Sequence, residues 1–222
     1  IGRARVFPKG WLENESIWLH MEYKYALELL RAGLYPEFFE TLDDILIPFL
    51  NPDVYGRSTL ESSSFLVSSA HEDSSLHGQG FVARLSGNTA EFLHIWLWMN
   101  IGRNPFVLNH QNQLCLQFDP ALPEALFLKG PRTFGRLNKA GQWEDVQLPA
   151  HTYAFHFLAS TLVVYHNPKR KDLVPDSEYQ IERIDLRLKG GEERLFTDGF
   201  VPVFYAERIR NGEADRMDVH FA

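Results

Sequence analysis

The sequence contains a single cysteine, Cys115, so no disulfide can form within the chain. A small fold stapled by disulfides is excluded, and a reducing compartment is the natural setting. Positive charge is outnumbered as well: 22 Lys and Arg against 29 Asp and Glu give a formal net charge of −7. That balance removes the broad attraction by which nucleic acid and anionic membranes are bound, so neither is expected as a partner. The most apolar helical run, from Phe92 to Ile101, is about half of the ~20 residues a membrane span needs. No internal repeat of the length that builds solenoids is visible.

What the sequence does have is length for a core and many aromatic rings. Its 222 residues suffice for one large or two small domains, and 45% are hydrophobic. Five Trp, eight Tyr and 17 Phe can fill a core, and they can equally stack on the apolar faces of sugars. The chain opens on Ile1 in mid-pattern rather than on Met, which leads us to expect a piece of something longer.

Apolar residues at Ile17, Trp18, Met21, Tyr25, Leu29 and Leu30 recur at helical steps from Asn14, and Gly33 supplies a stop. A second helix is expected from Pro36 through Phe38, Phe39, Leu42, Ile45, Leu46 and Phe49, making a helical hairpin. Residues 51–88 are rich in Gly, Ser, Asn and Asp and read as one long ordered loop. A third helix, from Thr89 to Gly102, is apolar nearly all round, so it needs neighbours on most sides. After Asn104-Pro105 the period turns to alternation, predicting strands at 114–118, 125–128, 133–137, 143–148, 153–165, 179–188 and 194–204. Lys139-Ala140-Gly141 and Gly190-Gly191 read as hairpin turns, and the whole stretch as an antiparallel sandwich.

Three short motifs carry chemistry. Lys9-Gly10-Trp11-Leu12-Glu13-Asn14-Glu15-Ser16-Ile17-Trp18-Leu19-His20 leads into the first helix, and Leu85-Ser86-Gly87-Asn88-Thr89-Ala90 leads into the third. Leu114-Cys115-Leu116-Gln117-Phe118-Asp119-Pro120-Ala121-Leu122-Pro123 opens the strand-rich part. In that order they resemble the K-E-N-G-G-I-F-x-H, [ST]-G-T-A and L-R-I-D-P-C-L-P landmarks of the cellobiose phosphorylase family, glycoside hydrolase family 94. The resemblance covers about the first 125 residues. Two departures stand out: Glu15-Ser16 replaces the family's Gly-Gly, and Asn88 is inserted between Gly87 and Thr89.

The resemblance implies an α+β fold: residues 1–108 as the last helices of an (α/α)6 barrel catalytic domain, and residues 109–222 as a C-terminal antiparallel β-sandwich domain. It implies inverting phosphorolysis of a β-linked disaccharide or oligosaccharide to a sugar 1-phosphate, in the cytoplasm, with inorganic phosphate as co-substrate and no other cofactor. Partners would be the oligosaccharide, the upstream remainder of the barrel and, as an open alternative, a second copy of the protein. Because phosphate is already anionic, such a reaction needs one carboxylic acid and an anion cradle, but no protein base. His20 and either Thr89 or Asn88 would contact phosphate, and Glu13 with Asn14 would bind sugar hydroxyls. The family's general acid belongs to earlier segments, so no catalytic residue is assigned here.

Each assignment has a plainer rival. His20 can be a structural histidine, Thr89 an N-cap, and Glu13 a cap of the first helical turn. His71-Glu72-Asp73 with His77 has no recognised metal-ligand spacing and reads as a solvated loop, so no metal is expected. His151 and His156 sit on one strand with opposed side chains. Gly78-x-Gly80-x-x-Ala83 fits a dinucleotide fingerprint formally but lacks a surrounding βαβ unit. The competing functions are a non-catalytic carbohydrate-binding or assembly module and a hydrolase with the same barrel.

Overall fold

The computed structural model describes residues 2–83, 87–138, 141–175, 177 and 179–222. The chain divides into two compact units, 1–97 and 98–222. The fold is α+β, with helices concentrated in the first unit and most strands in the second. Among the described residues no helix is long and apolar enough to cross a membrane.

In the first unit, strand β1 (Ile17–Trp18) runs directly into helix α1 (Leu19–Ala32), and α2 spans Tyr35–Ile45. The first helix therefore begins later than its periodicity suggested. Ile17 and Trp18 are drawn off into pairs with Leu66 and Phe65. The buried face of α1 is also a different one: Leu19, Tyr23, Ala26, Leu27 and Leu30 recur at helical spacing. Trp18, Met21 and Tyr25, half of the expected stripe, stay exposed. The helix stops where Gly33 takes φ 72° and its N–H bonds back to the Leu29 and Leu30 carbonyls. Pro36 occupies the first turn of α2, whose Phe38, Leu42 and Ile45 are buried against α1.

The segment read as one loop is partly sheet. A single helical turn, α3 (Pro52–Tyr55), is followed by β2 (Ser63–Leu66) and β3 (Gly80–Ala83), giving an antiparallel order β1-β2-β3. Four-residue strands are too short for alternation to stand out against Ser and Gly. What holds them is aromatic packing: Trp11 stacks on Phe81 at 4.1 Å, Phe65 on Phe81 at 5.4 Å, and Trp18 meets Phe65 edge-on. Gly80 is in a strand with Tyr55 against it. A Cβ there would strike the Tyr55 ring and lie 2.6 Å from Ser63 Oγ, which explains the glycine without a nucleotide.

Helix α4 (Gly87–Ile101) carries the chain from one unit to the other, and Leu85 and Ser86 of the motif that leads into it lie outside the described residues. Its last turn belongs to the second unit. The Met99 and Ile101 carbonyls accept from the Ala121 and Asp119 amides, and Tyr165 donates to the Asn100 carbonyl at 2.6 Å. These orphan helix-end carbonyls are satisfied by strand-side partners, which is why the division falls ahead of Gly102.

The second unit contains β4 (Phe106–Leu108), β5 (Leu114–Gln117), β6 (Arg132–Leu137), β7 (Trp143–Leu148), β8 (Thr152–Phe157), β9 (Thr161–His166), β10 (Ile181–Leu188), β11 (Glu193–Phe196), β12 (Phe200–Val201), helix α5 (Val203–Arg210) and β13 (Ala214–Phe221). Its main sheet has the order β11-β10-β13-β9-β8. All pairs are antiparallel except β13 with β9, so the sheet is mixed rather than purely antiparallel. The β6–β7 hairpin packs Val146 and Leu148 on Leu162 and Val164 of β9. On the other side of β9, Tyr165 meets Phe118, Phe155 and Phe221 edge-on.

Four expectations fail here for local reasons. Residues 124–126 form a 3-10 turn, and 153–165 is a hairpin whose turn residues Leu158 and Ala159 adopt φ 50° and 58°. The 194–204 run breaks at Gly199, and Pro202 starts α5. Strand β13 was not anticipated at all, although it lies in the middle of the sheet. Its register shifts opposite Arg187 and Leu188, which interrupts its alternation. Of the two anticipated hairpin turns, Gly190-Gly191 joins β10 to β11, while Lys139 and Ala140 lie outside the described residues.

The polar side of β13 is tied by charge. His166 and His220 stack at 4.2 Å, His166 Nε2 is 2.8 Å from Asp218, and Arg216 grips Asp218 with two bonds. Burial opposes ionisation of Asp218, but its hydrogen bonds to His166 and Arg216 outweigh it and hold the carboxyl down to about 2. A carboxyl depressed in the fold adds stability above its unfolded value and loses it on acidification. Burial, with His166 and Arg183 adding to it, also lowers His220, which likewise favours the fold less as pH falls below the ordinary histidine value. We expect the second unit to lose on the order of 2 kcal/mol between about pH 4 and 2 through Asp218. Asp218→Asn should remove that part of the slope in urea titrations run against pH; an unchanged slope would contradict the assignment. Gly80→Ala should cost the first unit about 1 to 3 kcal/mol by overpacking, read as a lower urea midpoint.

Candidate functional site

The loop ahead of α1 is folded by its own polar groups. Asn14 Nδ2 donates to the Phe7 carbonyl at 2.8 Å, and the Gly10 N–H donates to the Asn14 carbonyl at 2.7 Å. Asn14 thus spends a side-chain donor on loop closure. Glu13 is half-buried in the same loop. Glu15, which replaces a glycine of the resemblance motif, takes φ 64° and pairs with Lys9 at 3.6 Å. That left-handed backbone is one that glycine adopts without strain.

The first turns of α1 and α4 face each other. His20 Nε2 lies 4.0 Å from Glu91 Oε1, and one turn along α1 the Tyr23 ring meets Phe92 at 6.1 Å. The N-terminus of α1 has no side-chain cap, since Trp18 occupies that position. Asn88 is fully buried and donates from its amide to Ser62 Oγ and to the Ser63 carbonyl, both at 2.7 Å. Both of its amide hydrogens are engaged in fastening α4 to β2.

Thr89 is placed otherwise. It is the third residue of α4, and its Oγ1 is buried without a hydrogen-bond partner, so it does not cap the helix. It lines a cavity of about 210 Å³ in the first unit. The hydroxyl-bearing residues of the wall are Tyr23, Thr59, Ser62 and Thr89, and the rest is Ile47, Pro48, Leu60, Phe92 and Leu93. Among the described residues no charged side chain lines it, and His20 is not in the wall. Among the described residues, the Tyr23 hydroxyl is the second buried side-chain oxygen without a partner. Burial pushes its phenol well up; the nearby Ile47 amide opposes this weakly and does not complete a hydrogen bond.

The structure therefore brings His20, Glu91, Tyr23 and Thr89 to one pair of helix ends, and leaves Glu13 and Asn14 in the preceding loop. Sequence reasoning missed Tyr23. The signal that finds it is the Leu19, Tyr23, Ala26, Leu27, Leu30 spacing, in which a tyrosine sits at a core position and needs a partner for its hydroxyl.

The remaining candidates are structural. His71 Nδ1 accepts from the Asp73 N–H at 3.1 Å, His77 Nε2 contacts the His71 carbonyl at 2.9 Å, and Asp73 caps the next turn through Ser75. Among the described residues no three metal-ligating side chains converge. His156 is lowered by burial and by Arg136, while His151 sits in a turn with φ 62°. No family model and no curated protein matches the chain.

A buried hydroxyl without a partner costs stability, so deleting it is favourable. Tyr23→Phe is expected to leave the unfolding free energy unchanged or raise it by up to about 1 kcal/mol in urea denaturation. A loss of more than about 1 kcal/mol would show that the hydroxyl is held by a bond.

Proposed function

We propose that this chain is the C-terminal segment of a glycoside phosphorylase-like protein of the cytoplasm, cleaving a β-linked disaccharide or oligosaccharide with inorganic phosphate. In this reading α1, α2 and α4 are the last helices of an (α/α)6 barrel, and the strands after Gly102 form its β-sandwich. The observation that carries it is the unpartnered Thr89 hydroxyl at the head of α4, beside the uncapped start of α1 that bears His20. Helix N-termini and a free hydroxyl donor suit an anion, and a histidine can add positive charge. Glu91 gives the protonated ring a counter-charge. The glycine-like backbone of Glu15 agrees with the motif that places glycine there. Exposed Met21 and Tyr25 on α1, with Leu93 and Leu97 on α4, are the apolar surface that further barrel helices would cover.

Asn88 is left out of the anion set, because its amide hydrogens are committed to Ser62 and Ser63. The general acid and the cations that complete the cradle come from the rest of the barrel.

A second reading, a non-catalytic carbohydrate-binding module, draws on one observation: no charged side chain among the described residues lines the cavity beside Thr89. Assay of the full-length protein separates the two. Release of a sugar 1-phosphate from β-linked disaccharides should require phosphate, and Thr89→Ala should lower kcat/KM by about 100-fold. Sugar binding with no phosphate-dependent cleavage would establish the second reading instead.

A further inference from the structure

The main sheet of the second unit ends at β11 with backbone groups that the fold does not use. The Leu188 N–H donates to the Glu192 carbonyl at 2.8 Å and closes the β10–β11 hairpin. Bonded pairs in an antiparallel ladder recur at every second residue, so Arg194 and Phe196 turn their N–H and C=O groups toward β10, while Glu193 and Leu195 turn theirs to the open edge. Arg194 covers one of these outward groups by donating from Nη1 to the Glu193 carbonyl at 2.7 Å. Among the described residues, the Glu193 N–H and both backbone groups of Leu195 bond to no protein atom. Such an edge is a template for one more strand.

The side chains decide which strand fits. Glu193 and Leu195 stand opposite Arg187 and Asp185, and so lie on the face that those residues share with Arg216 and Asp218 of β13. These six residues line a cavity of about 450 Å³. Most of its charges are matched within the sheet: Arg187 by Asp215, Arg216 by Asp218, and Asp185 by Arg183 and His220. Glu193 is the exception, since its carboxylate has no ion pair or hydrogen bond among the described residues. Leu195 beside it is 58% exposed. The edge therefore offers an unmatched carboxylate and an apolar side chain two residues apart on one face, and cross-strand partners of opposite charge and of apolar character stabilise pairing there.

We propose that β11 takes on an extended peptide of another protein as a sixth strand of this five-stranded sheet, antiparallel to it, with an apolar residue opposite Leu195 and a lysine or arginine opposite Glu193. Running antiparallel, those two peptide residues follow the order apolar-x-basic. The peptide backbone satisfies the free edge groups, the basic side chain neutralises Glu193, and the cavity that Glu193 lines has room for its long stem. A second copy of β11 fits less well. Pairing centred on Arg194 sets two arginines opposite each other, and pairing centred on Leu195 sets Glu193 opposite Thr197, so neither supplies a cation for the carboxylate. The proposal is independent of the phosphorylase reading, whose site lies in the first unit.

Titration of the 222-residue chain with the peptide acetyl-Thr-Val-Thr-Lys-Thr-amide, followed through backbone amide shifts in nuclear magnetic resonance, tests it. Saturable shifts should centre on Glu193 and Leu195, and hydrogen exchange at their N–H groups should slow. The same peptide with Glu in place of Lys should bind about fivefold more weakly, and Glu193→Lys should reverse that preference. Leu195→Pro removes the outward donor at a position where an edge strand tolerates proline, and should abolish binding. Circular dichroism verifies the fold of each variant, and the charge reversal tests the proposal without the proline. It is overturned by absence of saturable shifts in the wild-type chain, by equal binding of the Lys and Glu peptides, or by shifts centred away from β11. Light scattering that shows dimers abolished by Leu195→Pro would also overturn it, because a second copy would then be the occupant.

Discussion

The contact between the first turns of α1 and α4 is the constraint on which the first unit's site depends. Helix α1 meets that contact through His20 and Tyr23, and α4 is held there by Asn88, whose amide is clamped to Ser62 and Ser63. The geometry seats the Tyr23 ring in the core beside Phe92 and leaves its hydroxyl buried without a partner. Two buried side-chain oxygens without partners, among the described residues, lie at that packing. A structural core would satisfy such groups or replace them with Phe and Val; retaining them has a cost that a bound molecule can offset.

Asn88 and Thr89 show how adjacent residues divide structure from chemistry. Successive helical positions lie 100° apart, so one side chain can turn inward to the sheet while the next faces the cavity. Asn88 carries two donors that match two acceptors on the Ser62–Ser63 edge. Thr89 has the smaller polar group and meets no protein partner. The insertion that sets this sequence apart from the phosphorylase motif is thus used as a fastener.

Much of the architecture was legible because it rests on long periodic runs. Both members of the helical hairpin, α4, and the strands at 114–117, 132–137, 143–148 and 181–188 announced themselves by spacing and by Gly33, Pro36 and Gly190-Gly191. What was not legible depends on partners distant in sequence. Strands β1, β2 and β3 are two to four residues long and exist only because Trp11, Trp18, Phe65 and Phe81 stack across them. Strand β13 hides its alternation behind a register shift, yet occupies the centre of the sheet between β9 and β10. On α1 the apolar stripe of Trp18, Met21 and Tyr25 competes with the one that is buried, and local spacing does not rank them. The site was half legible: motif order pointed to His20 and Thr89, while Tyr23 lay on the stripe that was passed over.

The central claim is that the Tyr23 and Thr89 hydroxyls are buried in the first unit and, among the described residues, bond to no protein group. Crystallographic refinement of this chain, at a resolution where ordered solvent is visible, measures that directly. The expected result is no protein donor or acceptor in hydrogen-bonding geometry within 3.5 Å of either oxygen. A backbone or side-chain hydrogen bond to either hydroxyl would contradict it.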